Sequence, residues 1–220
     1  MQIDLMVDYK IFNCVLAGTA GQGVITIKRL LEFAAQEAGY EGCFGSEMHG
    51  LAQREGAISC HVRLQKKVSP NPRKNIQAPT ICYGDADLAL GFEPVEVLRN
   101  GAFLSEKTKF VINDRTIQPI LVNAGREEYP SLQKIEEIVR GYSKDYLFLP
   151  ATQMAIEKLG DAQKMNLILL GVALGAGWIP NISIANCETV ICRELRDVDL
   201  NLRALNLGIE FGKHALSRVK

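Results

Sequence analysis

Short apolar runs alternate with apolar positions at helical spacing along the first two thirds of the chain. Residues 11–17 form a short apolar run that ends at Gly18, which is typical of a buried strand. From Gly23 the apolar positions follow helical spacing until Gly39, which predicts a helix that stops there. The same reading predicts further strands at 40–44, 57–64, 88–91, 110–113 and 146–149, and helices from Pro94, over 131–140 and up to Leu159.

The last third of the chain is predicted to be helical, over about 163–176, 184–196 and 199–217. Ser183 and Asp199 are the predicted N-caps of the second and third of these helices. Residues 165–179 are strongly apolar but shorter than the ~20 residues of a membrane-spanning helix, so they predict a buried helix. In the last helix, apolar residues on two sides predict burial, and Gly208 and Gly212 would let another helix approach closely.

This order of elements predicts an α/β fold: a Rossmann-like, mainly parallel sheet flanked by helices, with a helical C-terminal third. No internal repeat or linker divides the chain, so residues 1–220 are expected to form a single domain. Residues 65–79, which are rich in proline, asparagine and basic side chains, are expected to form an exposed excursion.

Composition and charge remove several classes of function. The 25 basic and 25 acidic residues cancel, and no basic run suggests binding to nucleic acid. The first ten residues carry acidic side chains and no apolar core, unlike a signal peptide, so we expect a cytoplasmic protein without a membrane segment.

Metal and nucleophile chemistry is not expected either. The six cysteines include no C-x-x-C pair, which disfavours an iron–sulfur cluster or structural zinc and favours buried, reduced thiols. His49 and His61 are poorly placed as a metal pair, and no nucleophile–base pair stands out. The sequence therefore nominates no catalytic residue and no metal ligand.

The glycine loop "GTAGQG" between the first strand and helix resembles a phosphate-binding turn but fits neither familiar pattern. Ala20 occupies the position where the dinucleotide fingerprint requires a glycine, and no Gly-Lys-Ser/Thr follows. Gly18, Gly21 and Gly23 still lead into a helix N-terminus, which favours an anion. The alternative is a tight turn that only packs on its neighbours.

A second polar segment, "SEMHGLAQREG" at residues 46–56, supplies the other candidates. It contains Glu47, His49, Gln53 and Arg54, and it would lie beside the glycine turn if the second strand runs toward the same edge. Arg54 could then bind a carboxylate or phosphate through paired hydrogen bonds. The alternative is a solvated loop in which Arg54 pairs with Glu47 or Glu55.

The ordered series "GTAGQG", "SEMHGLAQREGAISCHVRL", "GDADLALGFEPVEVLR", "FVIND" and "NLILLGVALGA" resembles the gamma-type chain of 2-oxoacid:ferredoxin oxidoreductases. Two segments, "E-M-H-G-x-A-Q-R" and "GFEPVEVLR", are most similar to the indolepyruvate type of that family. The likeness extends over almost the whole chain. Two positions depart from the family pattern: Ala20 precedes the "GQG" run, and Glu55 replaces a glycine after Arg54, where it could neutralise that arginine.

The resemblance implies a subunit and not a complete enzyme. In such enzymes a 2-oxoacid is decarboxylated on thiamine diphosphate, electrons pass through iron–sulfur clusters to ferredoxin, and the acyl group passes to coenzyme A. In the indolepyruvate type, thiamine diphosphate and the clusters belong to the larger catalytic alpha subunit. This chain would then hold no cofactor alone and would bind that alpha subunit.

Under this interpretation, the edge formed by Gly18, Gly21, Gln22 and Gly23 faces the alpha subunit, with Gln53 and Arg54 completing it. Its role would be to shape the entrance for substrate or coenzyme A. Two other classes remain open from the sequence: a free-standing Rossmann-like nucleotide- or flavin-binding protein, and a scaffold that touches no ligand.

Overall fold

The structure, a computed structural model, describes residues 10–50 and 56–217 of the 220-residue chain. The strands of the described part are β1 (Ile11–Thr19), β2 (Gly42–His49), β3 (Ala57–Gln65), β4 (Leu88–Gly91), β5 (Lys109–Asn113) and β6 (Tyr146–Leu149). Its α-helices are α1 (Val24–Glu37), α2 (Pro94–Arg99), α3 (Ile120–Asn123), α4 (Leu132–Tyr142), α5 (Ala151–Leu159), α6 (Met165–Gly175), α7 (Ile184–Glu194) and α8 (Val198–Ser217).

The six strands form one sheet in the order β2-β3-β1-β4-β5-β6. β1, β4, β5 and β6 pair in parallel, whereas β3 is antiparallel to both β1 and β2. β3 is therefore the one reversed strand of this sheet, and the predicted mainly parallel α/β fold is confirmed. The reversal follows from chain length, because the few residues between β2 and β3 are too short for the crossover that a parallel pair needs.

Helices cover both faces of the sheet, and β1 shows how the two cores are built. Cys14 and Leu16 point into a large core with α1, α6 and α7, while Val15 and Ala17 point into a smaller core with α2 and α4. This alternation is the period of two expected of a strand buried on both faces.

The predicted close helix approach in the C-terminal third is confirmed between α6 and α8. A Cβ added to Gly208 would lie 2.1 Å from the carbonyl oxygen of Ile168, and one added to Gly212 would lie 2.3 Å from that of Val172. Gly171 and Gly175 of α6 face the carbonyl oxygens of Leu205 and Ile209 at 2.2 Å in the same way. Glycines on both helices thus bring the two backbones together, and α6 is the buried helix that its composition predicts.

Several predicted boundaries need correction. β2 begins and ends later than the predicted 40–44, because Tyr40 belongs to the turn after α1 and the pairing with β3 continues to His49. Asp199 lies inside the first turn of α8 and not at its cap, whereas Ser183 caps α7 in a capping box as predicted. The cysteines are all free, but Cys82 and Cys192 are exposed, against the expectation that the thiols are buried.

The expected excursion begins one residue after the predicted start, since Gln65 still belongs to β3. It is mostly exposed and contains a short 3₁₀ turn at Pro72–Lys74. Arg63 of β3 holds its far end, donating to the carbonyl oxygens of Ala78 (2.9 Å) and Thr80 (3.2 Å). Among the helices of the described residues, none combines the length and apolar character needed to cross a membrane.

Candidate functional site at the carboxyl edge of the sheet

The glycine turn and the polar segment 46–56 meet at one edge of the sheet. Gly18 and His49 are both in register with Ile58, on opposite sides of β3. Ala20 N–H donates to the carbonyl oxygen of Gly56 at 2.9 Å, and Gly50 N–H donates to that of Ala57 at 2.7 Å. The predicted neighbourhood is thus confirmed for both ends of the segment, while Gln53 and Arg54 lie outside the described residues.

The three glycines of the turn serve different purposes. A Cβ on Gly18 would lie 2.7 Å from both Gln22 Oε1 and Phe92 Cβ, so this position needs a glycine for packing. Gly21 and Gly23 adopt φ values of 90° and 77°, which side chains other than glycine rarely tolerate. Gly23 is the N-cap of α1, and no side chain caps that helix end. The turn therefore presents backbone at the edge, as the sequence predicts.

Gln22 is buried and uses its amide inside the protein. Its Oε1 accepts the N–H of Thr19 at 2.7 Å, and its Nε2 donates to the carbonyl oxygen of Phe92 at 3.0 Å. Asn113 Nδ2 donates to the same Phe92 oxygen at 3.1 Å and also binds the Thr152 hydroxyl. These bonds join the ends of β1, β4 and β5 to α5, so the edge is a rigid platform.

Glu47 and His49 lie on the face of β2 that looks toward α1. Glu47 Oε1 is 3.2 Å from Nζ of Lys28, which also pairs with Glu32 at 3.3 Å. His49 Nε2 is 3.6 Å from the other Glu47 oxygen. The hydrogen bond from Lys28 holds the pKa of Glu47 below its usual value, so this carboxylate stays charged at neutral pH.

Three cations that the sequence analysis did not nominate line cavities beside the glycine turn. A cavity of about 230 Å³ is lined by Gly21, Gly23, Lys164 and Arg196, among others. A second, of about 210 Å³, lies on the other side of the turn and is lined by Gln22 and Arg115. Arg115 could have been found, because it follows a predicted strand by two residues. Lys164 and Arg196 are remote in sequence from the turn, and no local signal indicates their position.

A buried carboxylate organises the loop after β5. Glu93 caps α2 by accepting the N–H of Glu96 at 3.0 Å, and it also accepts the N–H of Ile117 and the hydroxyl of Tyr129. Burial and this hydrogen bond raise the pKa of Tyr129, so the phenol remains a donor. The loop held in this way carries Ile120 and Leu121, which are 70% and 45% exposed. They line a further cavity with Thr19 and Arg99.

The thiols of the described residues do not fit a metal cluster. Burial raises the pKa of Cys43, Cys60 and Cys187 to about 12, so these groups are protonated at neutral pH. Within residues 10–50 and 56–217, no group of three or more His, Cys, Asp or Glu side chains is placed to hold a metal ion. The edge offers backbone N–H groups, cations and exposed apolar side chains for contact with a charged ligand or another chain.

Comparison with known proteins gives matches over nearly the whole chain. The family model described as pyruvate ferredoxin/flavodoxin oxidoreductase matches residues 13–211. Indolepyruvate oxidoreductase subunit IorB of Archaeoglobus fulgidus is 34% identical over 89% of this chain and 92% of its own. The subunit of the same name from Pyrococcus horikoshii is 33% identical over 94% of this chain and 99% of its own.

Among solved structures, the keto/oxoacid ferredoxin oxidoreductase gamma subunit of Geobacter sulfurreducens PCA superposes with a TM-score of 0.64. The match covers 92% of this chain and 99% of that one, at 16% sequence identity. At that identity the likeness shows a shared fold.

Proposed function

The chain belongs to the pyruvate ferredoxin/flavodoxin oxidoreductase family, and from that premise we propose that it is the gamma-type subunit of an aryl pyruvate oxidoreductase, with indolepyruvate as the first substrate to test. The enzyme would couple oxidative decarboxylation of the 2-oxoacid to acyl transfer to coenzyme A and reduction of ferredoxin. A catalytic alpha subunit would carry thiamine diphosphate and the iron–sulfur clusters. This chain would hold none of them, and its cytoplasmic location stays a prediction.

The observation that carries the proposal is the end-to-end likeness to the IorB subunits. The family match over residues 13–211 includes the glycine turn, the segment 46–56, α6 and most of α8. The relatives are themselves named as subunits, and burial raises the pKa of the Cys43 and Cys60 thiols of this chain.

The carboxyl edge is the surface that we assign to the alpha subunit and to the entrance of an anionic co-substrate. Ile120 and Leu121 expose apolar area beside the edge, which suits a protein contact. Arg196 and Arg115 line the adjoining cavities and would raise the local concentration of an anion such as coenzyme A. Lys164 lines the first of these cavities while it lies 3.7 Å from Asp161 and donates to Asn201. Gly18, Gly21, Gly23 and the internally bonded Gln22 would act by fixing the shape of this edge.

The test substitutes single cations in the assembled complex. Arg54→Ala and Lys164→Gln are each expected to raise the KM for coenzyme A or the 2-oxoacid by about tenfold, since a hydrogen bond to a charged group contributes about 1.5–3 kcal/mol. Lys134→Gln, on the solvent side of α4, is the matched control and should leave both values unchanged. Size-exclusion chromatography of each complex separates loss of assembly from loss of ligand affinity.

Two outcomes would favour the other classes. Loss of the complex with unchanged KM values in the fraction that still assembles would indicate a scaffold that touches no ligand. Micromolar binding of a nicotinamide or flavin at the glycine turn of the chain alone, abolished by Lys164→Gln, would indicate a free-standing nucleotide-binding protein.

A further inference from the structure

A cavity of about 360 Å³ opens at the amino ends of the parallel strands, on the opposite edge of the sheet from the glycine turn. Its walls come from the starts of β1, β4 and β5, the end of β3, and the loops after α1 and α6. β1 spans nine residues between the two edges, which at about 3.3 Å per residue separates the cavities by roughly 25–30 Å. The cavity is therefore a separate place on the molecule.

The cavity is lined by one carboxylate, Asp87, and by four lysines: Lys10, Lys66, Lys107 and Lys109. The carboxylate is already engaged, because it lies 3.2 Å from Lys107 Nζ and accepts the backbone N–H of Asn13 at 2.9 Å. Lys107 is also paired with Asp85 at 2.7 Å. Lys107 is thus shared between two carboxylates, so the positive charge that the cavity can offer an anion comes from its other lysines.

Lys66 and Lys109 each lie over an aromatic ring of the cavity wall. Lys109 Nζ lies 5.7 Å from the centre of the Trp178 ring, and Lys66 Nζ lies 5.0 Å from that of Tyr40. Lys66 also donates to the carbonyl oxygen of Ala38. No carboxylate of the described residues is within 4.0 Å of either ammonium group. Lys109 therefore faces the cavity beside a neutral ring, and Lys66 does so while Glu41, the nearest carboxylate to act on it, is paired with Lys67 at 2.5 Å.

The walls that carry these charges are held in place before any ligand arrives. The Tyr40 hydroxyl donates to the carbonyl oxygen of Pro180, and the backbone N–H of Trp178 donates to the carbonyl oxygen of Ala173 at 3.0 Å. Tyr40 and Trp178 are each 8% exposed. Gly177 and Asn181, with φ values of 65° and 54°, make the turn that seats Trp178 between them. A preformed cavity of this kind avoids the cost of ordering its wall on binding.

We propose that the cavity at the amino edge binds a small anion that carries a di- or polyphosphate group, with Lys66 and Lys109 as its principal phosphate contacts. Ammonium groups suit phosphate oxygens as compact point charges. The volume exceeds that of pyrophosphate alone, and the apolar wall of Phe12, Tyr40 and Trp178 would receive the organic part of a nucleotide. The inference does not rest on the function proposed for the carboxyl edge.

The tryptophan of the cavity is the only one in the chain, so its fluorescence reports directly on this site. Pyrophosphate and ADP are titrated separately into the purified full-length chain, with adenosine as the uncharged comparison. Both phosphates are expected to change the emission saturably with a Kd below about 1 mM, equivalent to more than about 4 kcal/mol of binding. Equal affinities would identify free polyphosphate as the ligand, and tighter binding of ADP would identify a nucleotide.

The double substitution Lys66→Gln/Lys109→Gln is expected to raise the Kd of both pyrophosphate and ADP by at least about tenfold, because it removes two charge-assisted contacts. Lys134→Gln on the surface of α4 should leave both Kd values unchanged. If the double variant unfolds, the unmodified chain still tests the proposal, because its affinity for pyrophosphate and ADP must fall as the KCl concentration is raised. Adenosine binding as tightly as ADP, unchanged affinity in the folded double variant, or no saturable signal with either phosphate would each overturn the proposal.

Discussion

Gln22 ties the glycine turn to the neighbouring strand by donating from Nε2 to the carbonyl oxygen of Phe92 at 3.0 Å. The same side chain accepts the N–H of Thr19 at 2.7 Å, so both ends of its amide are used within the protein. The residue that looks most like a ligand contact in the "GQG" sequence is therefore a support for the turn. What reaches the edge is backbone from Ala20 and Gly21 together with cations from distant parts of the chain.

Replacing Gln22 should destabilise the fold. Gln22→Leu leaves the Thr19 N–H without its acceptor and removes one donor from the Phe92 oxygen, and we expect the free energy of unfolding to fall by about 1–3 kcal/mol. Urea unfolding followed by circular dichroism measures it. Gln153→Leu on the exposed side of α5, where the amide donates to Glu157, is the control and should change stability by less than about 0.5 kcal/mol. Equal effects of the two substitutions would contradict the internal role of Gln22.

The glycine contact between α6 and α8 predicts that a glycine-to-alanine substitution destabilises the protein at this contact and stabilises it in the exposed helix α4. In Gly208→Ala the new methyl group would lie 2.1 Å from the Ile168 carbonyl oxygen, which forces the helices apart. We expect a loss of about 3 kcal/mol or more in unfolding free energy. Gly141→Ala in α4 meets no atom within 4 Å and should instead gain about 0.5–1 kcal/mol. Stability that is unchanged by Gly208→Ala would refute the close packing.

His61 predicts a pH dependence of stability. Burial, with a smaller contribution from Arg63, lowers the pKa of His61 from 6.5 to about 4, while its Nδ1 accepts the N–H of Ile81. Between these two pKa values the unfolded chain binds more protons than the folded one. The free energy of unfolding should therefore fall, by about 2–3 kcal/mol from this group, as the pH drops from 6.5 to 4.

NMR titration of labelled histidine side chains measures this directly, with the His61 signal assigned from its absence in His61→Gln. The expected result is a His61 signal that does not shift until the pH is well below 6. A midpoint near 6.5 would mean that the imidazole reaches solvent.

Tyr129 is predicted to fasten the loop after β5 through Glu93. Tyr129→Phe removes the hydroxyl that donates a hydrogen bond to Glu93, and we expect the free energy of unfolding to fall by about 1–2 kcal/mol. We also expect faster amide exchange near Ile117, because its N–H donates to the same carboxylate. Hydrogen exchange monitored by mass spectrometry reports on both. Tyr146→Phe is the control, because its hydroxyl binds the exposed Arg140 and Glu136 and should contribute little. Equal rates of amide hydrogen exchange near Ile117 in the two variants would contradict the role of Glu93 in holding this loop.

The local sequence pattern predicts several elements of the fold correctly. The apolar runs that became β4 and β6 were located to the residue, and the spacing of Gly208 and Gly212 predicted the close helix pair. The neighbourhood of Gly18 and His49 is predicted on the condition that β2 runs toward the edge of the glycine turn, and the pairing with β3 meets that condition. That the whole chain forms one domain stays a prediction.

The remainder depends on contacts between residues distant in sequence, which no periodicity records. The inward orientation of Gln22 follows from the position of Phe92, seventy residues later. Lys164 directly precedes α6 and Arg196 follows α7, and both of these helices pack on α1 beside the turn. The glycines Gly18, Gly21 and Gly23 and the nearby Arg115 are therefore accessible to sequence reasoning, whereas Lys164 and Arg196 are not.

The central claim is that this chain supplies shape and contacts while a companion subunit carries the reactive groups. Its most direct test is indolepyruvate- and coenzyme A-dependent reduction of a viologen dye by the pure chain, by the co-expressed thiamine-dependent companion, and by the two together. The account predicts full activity for the pair, and no activity for this chain alone. Dye reduction by the pure chain alone, at a rate comparable with that of the pair, would contradict it.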